Sequence, residues 1–269
     1  MPEFRCLSEA GGCLVIGEES SSRVGNIALG ETLEQARGHK GEVRSEFSHS
    51  LSSLALTRTG AVPWKVRLGQ LSRDAGGSHV VVKRIPKNTI CTVSSLRHLK
   101  HEISLMRALG DARAGQRAEG GGAAAEAIAE GLTHVVVLFD VRLSPMSLHI
   151  VQKVGGSSLH QLTKIGGPLS SLIVATIARG LAAALVAVHD LGWCHRDVKP
   201  ENLLLGTDAH TLHVLARTDP EAAATRVHVR LCDFGIAVPQ PRAGEPRLHQ
   251  FCGSSGFFAP EVSACSLTA

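Results

Sequence analysis

Three short runs in the second half of the chain restrict what it can fold into more than any other feature. His195-Arg196-Asp197-Val198-Lys199-Pro200-Glu201-Asn202 gathers two carboxylates, a carboxamide, an ammonium and an imidazole within eight residues. Asp233-Phe234-Gly235 follows, and Ala259-Pro260-Glu261 closes the series. A lone tripeptide of this kind carries little information, but an eight-residue run with two further runs in order is a strong constraint.

Composition narrows the remaining choices. The chain has 269 residues, enough for one large domain or two small ones. With 43% hydrophobic and 19% charged residues it is not a disordered polyelectrolyte. Seven Phe, two Trp and no Tyr require an aliphatic core and exclude tyrosine phosphorylation within the chain. A formal charge of +4 with no Lys/Arg-rich run argues against nucleic acid as a partner. The seven cysteines are scattered without a C-x-x-C pair, which supports neither a zinc knuckle nor a disulfide framework. The apolar stretch Cys13 to Ile16 is too short for a signal peptide, and Arg179 interrupts the apolar segment Leu172 to Val188, so no membrane partner is expected. The expected compartment is intracellular, cytoplasmic first, with the nucleus left open.

The organisation along the chain is uneven. Residues 1–57 are rich in Ser, Gly and Glu and read as a flexible extension. Lys65 to Leu68 and His79 to Ile85, separated by Asp74-Ala75-Gly76-Gly77, read as a hairpin. Leu96, Leu99, Ile103, Met106 and Leu109 mark one face of a helix ending near Leu109. Residues 110–132 read as a low-complexity loop with at most one short helix. Val135 to Val141 and Leu148 to Val151 read as strands. Ile173, Ile177, Leu181, Ala184 and Val188 form the inward stripe of a long helix. The expected fold is α+β and bilobal.

The three runs resemble the catalytic loop, the metal-binding triplet and the end of the activation segment of eukaryotic serine/threonine protein kinases. The resemblance covers about Trp64 to Glu261. It implies that Asp197 orients the substrate hydroxyl and accepts its proton, that Lys199 neutralises the transferred phosphate, and that Asn202 and Asp233 hold Mg²⁺. Lys199 at this place resembles serine/threonine rather than tyrosine kinases. Upstream, Val80-Val81-Val82-Lys83 resembles the strand whose lysine meets the nucleotide phosphates. Glu102, nineteen residues later, stands where a helix glutamate pairs with it. Ile150 to Gly156 resembles the hinge that binds adenine, with Gln152 near the gatekeeper, Val154 lining the site and Leu204 beneath the base. Lys153 stands where an acidic residue is usual. ATP and Mg²⁺ are the implied cofactors, and a protein carrying a Ser/Thr acceptor is the implied substrate. A regulatory protein is a further expected partner.

The chain also departs from the pattern. The window Thr59 to Val66, where a glycine-rich phosphate loop is expected, keeps one glycine and carries Pro63 and Trp64. No Ser, Thr or Tyr lies between Gly235 and Gly253. Thirty-one residues separate Asn202 from Asp233, and 206–226 reads as an exposed inserted loop. The chain stops eight residues after Glu261, where the family continues with further helices. The expected organisation is therefore an extension over 1–57, an N-lobe over 58–152 that is complete or nearly so, and an incomplete helical C-lobe over 153–269. The primary functional reading is ATP-dependent phosphorylation of Ser/Thr side chains, and the alternative is a catalytically impaired pseudokinase or regulatory fragment.

Overall fold

The computed structural model describes residues 14–15, 23–24, 27–35, 65–71, 79–115, 122–241 and 252–265. A seven-stranded sheet forms the first half. Its strands are β1 (Leu14–Val15), β2 (Arg23–Val24), β3 (Ile27–Gln35), β4 (Lys65–Leu71), β5 (His79–Pro86), β6 (Leu138–Leu143) and β7 (Ser147–Lys153), in the order β1-β6-β7-β5-β4-β3-β2. Neighbours are antiparallel except β1 with β6. β4 and β5 form the expected hairpin, with Val66 opposite Lys83.

Alternation along β5 separates two faces. Val80 and Val82 join Val151 in a small buried cluster on one side. Lys83 and Ile85 share the other parity, toward helix α1 (Val93–Gly115). That helix buries Leu99, Ile103, Leu105, Met106 and Leu109 in the main core, each side chain contributing about 1.5–3 kcal/mol of transfer free energy.

The stretch 1–57 is not wholly an extension, because β1, β2 and β3 belong to the sheet. β3 escapes a pattern search because Gly30 sits in its middle and its pairing with β4 shifts register twice. The glycine window Thr59 to Val66 lies outside the described residues except for Lys65 and Val66, which are in β4.

The segment 110–132 is also more ordered than a loop. α1 continues to Gly115, and α2 (Ala123–Thr133) follows. Arg113 donates to the carbonyls of Leu132 and Val135, tying the two helices together. α2 lies against α4 (Ser171–Asp190) at close range. A Cβ on Gly131 would run into the Ala183 carbonyl oxygen, so glycine permits the approach.

After Lys153 the chain is mainly helical. α3 (Leu159–Gly166) starts at a capping box in which Ser158 accepts from Gln161 N and the Gln161 side chain accepts from Ser158 N. α4 is capped by Ser170 and buries Ile173, Ile177, Gly180, Ala184, Ala187 and Val188. By length and composition α4 could cross a membrane. Here its buried stripe serves the main core.

The stretch 206–226 differs from the expected exposed loop, for it forms α5 (Ala209–Thr218) and α6 (Pro220–Arg226). Asp208 caps α5, while Asp219 caps α6 with Pro220 at its first position, so the helix signals are present in the sequence. Leu212, Ala223 and Ala224 bury against α3 and α4. Two small antiparallel pairs complete the fold: β9 (Leu203–Leu204) with β10 (Arg230–Leu231), and β8 (Trp193–Cys194) with β11 (Val238–Pro239). α7 (Pro260–Cys265) is the last described element.

Candidate active site

The site lies where the sheet meets the helical half. β5 carries Lys83, and α1 carries Glu102 across from it. Lys83 Nζ is 2.8 Å from Glu102 Oε1 and 3.3 Å from Asp233 Oδ1. All three side chains are buried. Burial alone would lower the Lys83 pKa, but the carboxylates of Glu102 and Asp233 outweigh it and hold the ammonium above its ordinary value. Burial pushes Glu102 up against the pull of Lys83. Burial also acts to raise Asp233, yet Lys83 prevails and keeps this carboxyl below its ordinary value. One ammonium thus serves two carboxylates, with the shorter contact to Glu102.

The second cluster surrounds Asp197. Ser254 Oγ donates to Asp197 Oδ1 at 2.7 Å, and Lys199 Nζ donates to Ser254 Oγ at 2.6 Å. Lys199 Nζ also lies 2.7 Å from Asp197 Oδ2. Asn202 Nδ2 donates to the Asp197 carbonyl at 2.8 Å and to Oδ2 at 3.1 Å. Every oxygen of Asp197 is therefore held in place, and its side-chain orientation is set before any substrate arrives.

His195 braces this loop from below. Its Nδ1 accepts from Asp197 N at 3.2 Å, which leaves Nε2 as the donor to the Cys232 carbonyl at 3.1 Å. Its ring meets Phe234 edge-on at 5.2 Å. Burial lowers the His195 pKa, so the neutral tautomer that makes both bonds is the favoured one. Arg196 and Asp233 both adopt the left-handed region, with φ of 67° and 63°. That backbone is costly for residues with a Cβ, by about 1–3 kcal/mol each, and marks two turns that surrounding bonds hold in place. One such bond is Arg196 Nε to the Ile236 carbonyl at 2.8 Å.

Val154 directly follows β7, and Leu204 is a buried residue of β9. Leu204 packs so closely on Gly155 that a Cβ there would collide with Leu204 Cδ1. Gln152 Nε2 reaches Met106 Sδ at 3.3 Å, linking β7 to α1. Among the described residues no group of three or more His, Cys, Asp or Glu side chains forms a ready metal cage. Asn202 spends its amide N–H groups on Asp197, leaving Oδ1 as an oxygen ligand beside Asp233. Two hard oxygen donors without a cage fit Mg²⁺, which takes its other ligands from water and phosphate.

The resemblance already marks Ser254 as a hydroxyl bonding Asp197 and His195 as stacking with Phe234, and both contacts are present. A further signal emerges once β3 is known to end at Gln35. The sequence directly after it reads Ala36-Arg37-Gly38-His39-Lys40-Gly41-Glu42-Val43, a G-x-x-G-x-V spacing well ahead of Thr59.

Comparison with known proteins agrees with this geometry. The family described as "Protein kinase domain" matches residues 127–266. The serine/threonine-protein kinase PkaA of Streptomyces coelicolor is 29% identical over 211 residues, covering 76% of this chain and 32% of that protein. CBL-interacting protein kinase 1 of Oryza sativa subsp. japonica is 26% identical over 190 residues, 70% of this chain and 33% of the relative. CBL-interacting serine/threonine-protein kinase 15 of Arabidopsis thaliana is 28% identical over 189 residues, with 69% and 35% covered. The chain spans about a third of the length of these curated relatives.

Proposed function

Because the chain belongs to the protein kinase domain family, we propose that it transfers the γ-phosphoryl group of ATP to Ser or Thr side chains of other proteins. The observation that carries this reading is the double engagement of Lys83, at 2.8 Å from Glu102 and 3.3 Å from Asp233. A lysine so placed can bind nucleotide phosphates while its helix partner fixes its direction.

Asp197 orients the acceptor hydroxyl and takes its proton, with Ser254 and Asn202 restraining the carboxylate. Lys199, adjacent to Asp197, neutralises charge on the group in transfer. Val154 and Leu204 enclose the adenine, and Lys83 holds the α- and β-phosphates. Asn202 and Asp233 would hold Mg²⁺, which when bound offsets the charge of the phosphates.

The rival reading is a catalytically impaired pseudokinase or regulatory fragment, and it draws on the glycine-poor window Thr59 to Val66. The Gly38 and Gly41 spacing after β3 favours the catalytic reading instead. The relatives named CBL-interacting support a regulatory protein as a partner of this chain. Free thiols at Cys91, Cys194, Cys232 and Cys252 support an intracellular, cytoplasmic location.

The deciding experiment is transfer of labelled phosphate from Mg·ATP to a Ser/Thr peptide library by the purified chain. Asp197→Asn is expected to reduce the rate about 100- to 10,000-fold. An unchanged rate would remove Asp197 from its assigned role, and absence of transfer by the unaltered chain would favour the pseudokinase reading.

A further inference from the structure

Three basic side chains from separate parts of the fold, Arg230, His134 and Lys153, act electrostatically on a fourth, His228. Lys153 is the exposed last residue of β7, and Arg230 opens β10. His228 lies two residues before Arg230, and His134 directly follows α2. The two imidazoles stack with centroids 4.8 Å apart and planes inclined by 27°. His134 Nδ1 is 2.8 Å from the Val229 carbonyl oxygen, and His228 Nε2 is 3.0 Å from the Thr133 carbonyl oxygen. A carbonyl only accepts, so both of these nitrogens carry a proton. His228 Nδ1 remains as the nitrogen that gains a proton when that ring becomes charged.

Among the described residues the side chains acting on His228 are all cationic or basic. Arg230 and Lys153 both lie within electrostatic reach of His228. Arg230 is half-buried, and its guanidinium makes no hydrogen bond or ion pair with the described residues. Burial, with no carboxylate opposing it, pushes Arg230 below its ordinary pKa. Gly206, at φ 73°, makes room for this arrangement. A Cβ there would stand 2.9 Å from the His228 carbonyl oxygen and 3.3 Å from Arg230 Nη1. Lys153, at the end of β7, adds a second cation within electrostatic reach of His228.

We propose that Arg230, Lys153, His228 and His134 form a binding site for one phosphate-type oxyanion, built around the stacked His134 and His228 rings. The guanidinium fork matches the oxygens of such an ion, and the ammonium adds a point charge. His228 makes binding depend on protons. Burial first, then Arg230, His134 and Lys153, hold His228 below its ordinary pKa in the free protein. A bound anion reverses the charge term, so proton uptake accompanies binding and affinity rises as pH falls through about 6.5. The group could arrive as a free ion or on a phosphorylated side chain, and the same four residues would receive either. This site stands or falls independently of phosphotransfer.

Calorimetric titration of the full chain with sulfate tests it, because sulfate does not titrate in this range and reports only the protein's protons. At constant ionic strength, binding is expected to be saturable and several-fold tighter near pH 6 than near pH 8. Arg230→Gln should weaken it about tenfold or more, a change of about 1.4 kcal/mol or greater. His228→Asn keeps a donor for the Thr133 carbonyl and should retain binding while losing most of the pH dependence. Lys153→Glu gives Arg230 a carboxylate and should abolish binding while preserving a cooperative melt. Parallel titrations with inorganic phosphate and with a phosphoserine peptide assign the source to whichever binds more tightly. Sulfate affinity that is unchanged in both Arg230→Gln and Lys153→Glu, or no saturable binding at either pH, overturns the proposal.

Discussion

His101 on α1 meets Trp193 on β8 edge-to-face, with ring centroids 5.5 Å apart and planes at 78°. The Ala237 backbone acts on the same imidazole, and its Nδ1 is buried without a hydrogen bond. One residue before Glu102, a single side chain thus joins the helix that orients Lys83 to the strand before the catalytic loop and to the segment after Asp233. Burial first, and then Arg97 and Arg196, depress the His101 pKa, while the Ala237 backbone opposes them. His98 adds another basic group to the same face.

The docked helix therefore favours neutral His101. Its pKa is lower when α1 is docked than when it is released, so docking is complete above about pH 6.5 and is lost progressively as pH falls. Phosphotransfer by the unaltered chain should show an acid limb in kcat. His101→Gln, which keeps a polar side chain without a titrating ring, should flatten that limb. A pH profile of kcat that is the same in the variant would show that His101 does not set it.

Removing Lys83 leaves Glu102 and Asp233 buried without their shared cation. Lys83→Met is expected to destabilise the chain by about 3–5 kcal/mol near neutral pH, as for other broken buried pairs. The sign of the pH effect follows from the orphaned carboxylates, whose pKa values rise in the folded state. They bind protons more readily folded than unfolded, so the stability deficit shrinks as pH falls toward 5. Thermal melts of both proteins across that range measure the difference.

Ser254 bridges Lys199 and Asp197 through two short hydrogen bonds. Ser254→Ala leaves the two charged groups in contact but frees the orientation of Asp197. A loss of about 1–2 kcal/mol is expected, read as a five- to thirtyfold fall in kcat/KM. Ser254→Thr keeps the hydroxyl and should recover most of the activity. Steady-state kinetics of the two variants distinguish a positioning role from bulk packing.

Two helix glycines should respond in opposite directions. Gly131 sits where α2 touches α4, and Gly131→Val places branched carbon against the Ala183 backbone, costing about 1–3 kcal/mol or more. Gly110, inside α1, has open space around its Cβ position. Gly110→Ala should stabilise by about 0.5–1 kcal/mol through helix propensity. Urea denaturation midpoints provide the comparison.

The catalytic arrangement was readable because its chemistry is concentrated in adjacent residues. Asp197, Lys199 and Asn202 lie within six positions, and tight loop geometry brings them together with little help from distant chain. Lys83 and Glu102 were harder, being nineteen residues apart on a strand and a helix, yet each carries a local pattern that points to it. Ser254 was legible only through the resemblance, which sets a hydroxyl there against Asp197, whereas nothing near His101 in sequence announces its partners.

The misreadings have a common physical origin. α5 and α6 carry clear capping residues at Asp208 and Asp219, but as short helices they gain much of their stability by burying Leu212, Ala223 and Ala224 against α3 and α4. α2 is rich in Ala and Gly and resembles a spacer until Gly131 is seen against Ala183. β3 becomes a strand because β4 offers it a ladder, despite Gly30 and two register shifts.

By itself, the sequence determined the chemical inventory: which acids, bases and oxygen ligands exist, in what order, and which strand and helices carry them. Local spacing is sufficient for that, since neighbouring residues experience nearly the same backbone. Only the tertiary structure decided how one ammonium is shared between Glu102 and Asp233, how His101 meets Trp193, and why Arg230 has no counter-charge among the described residues. Those outcomes depend on distances between segments far apart in the chain, and on burial that gives each charge its weight.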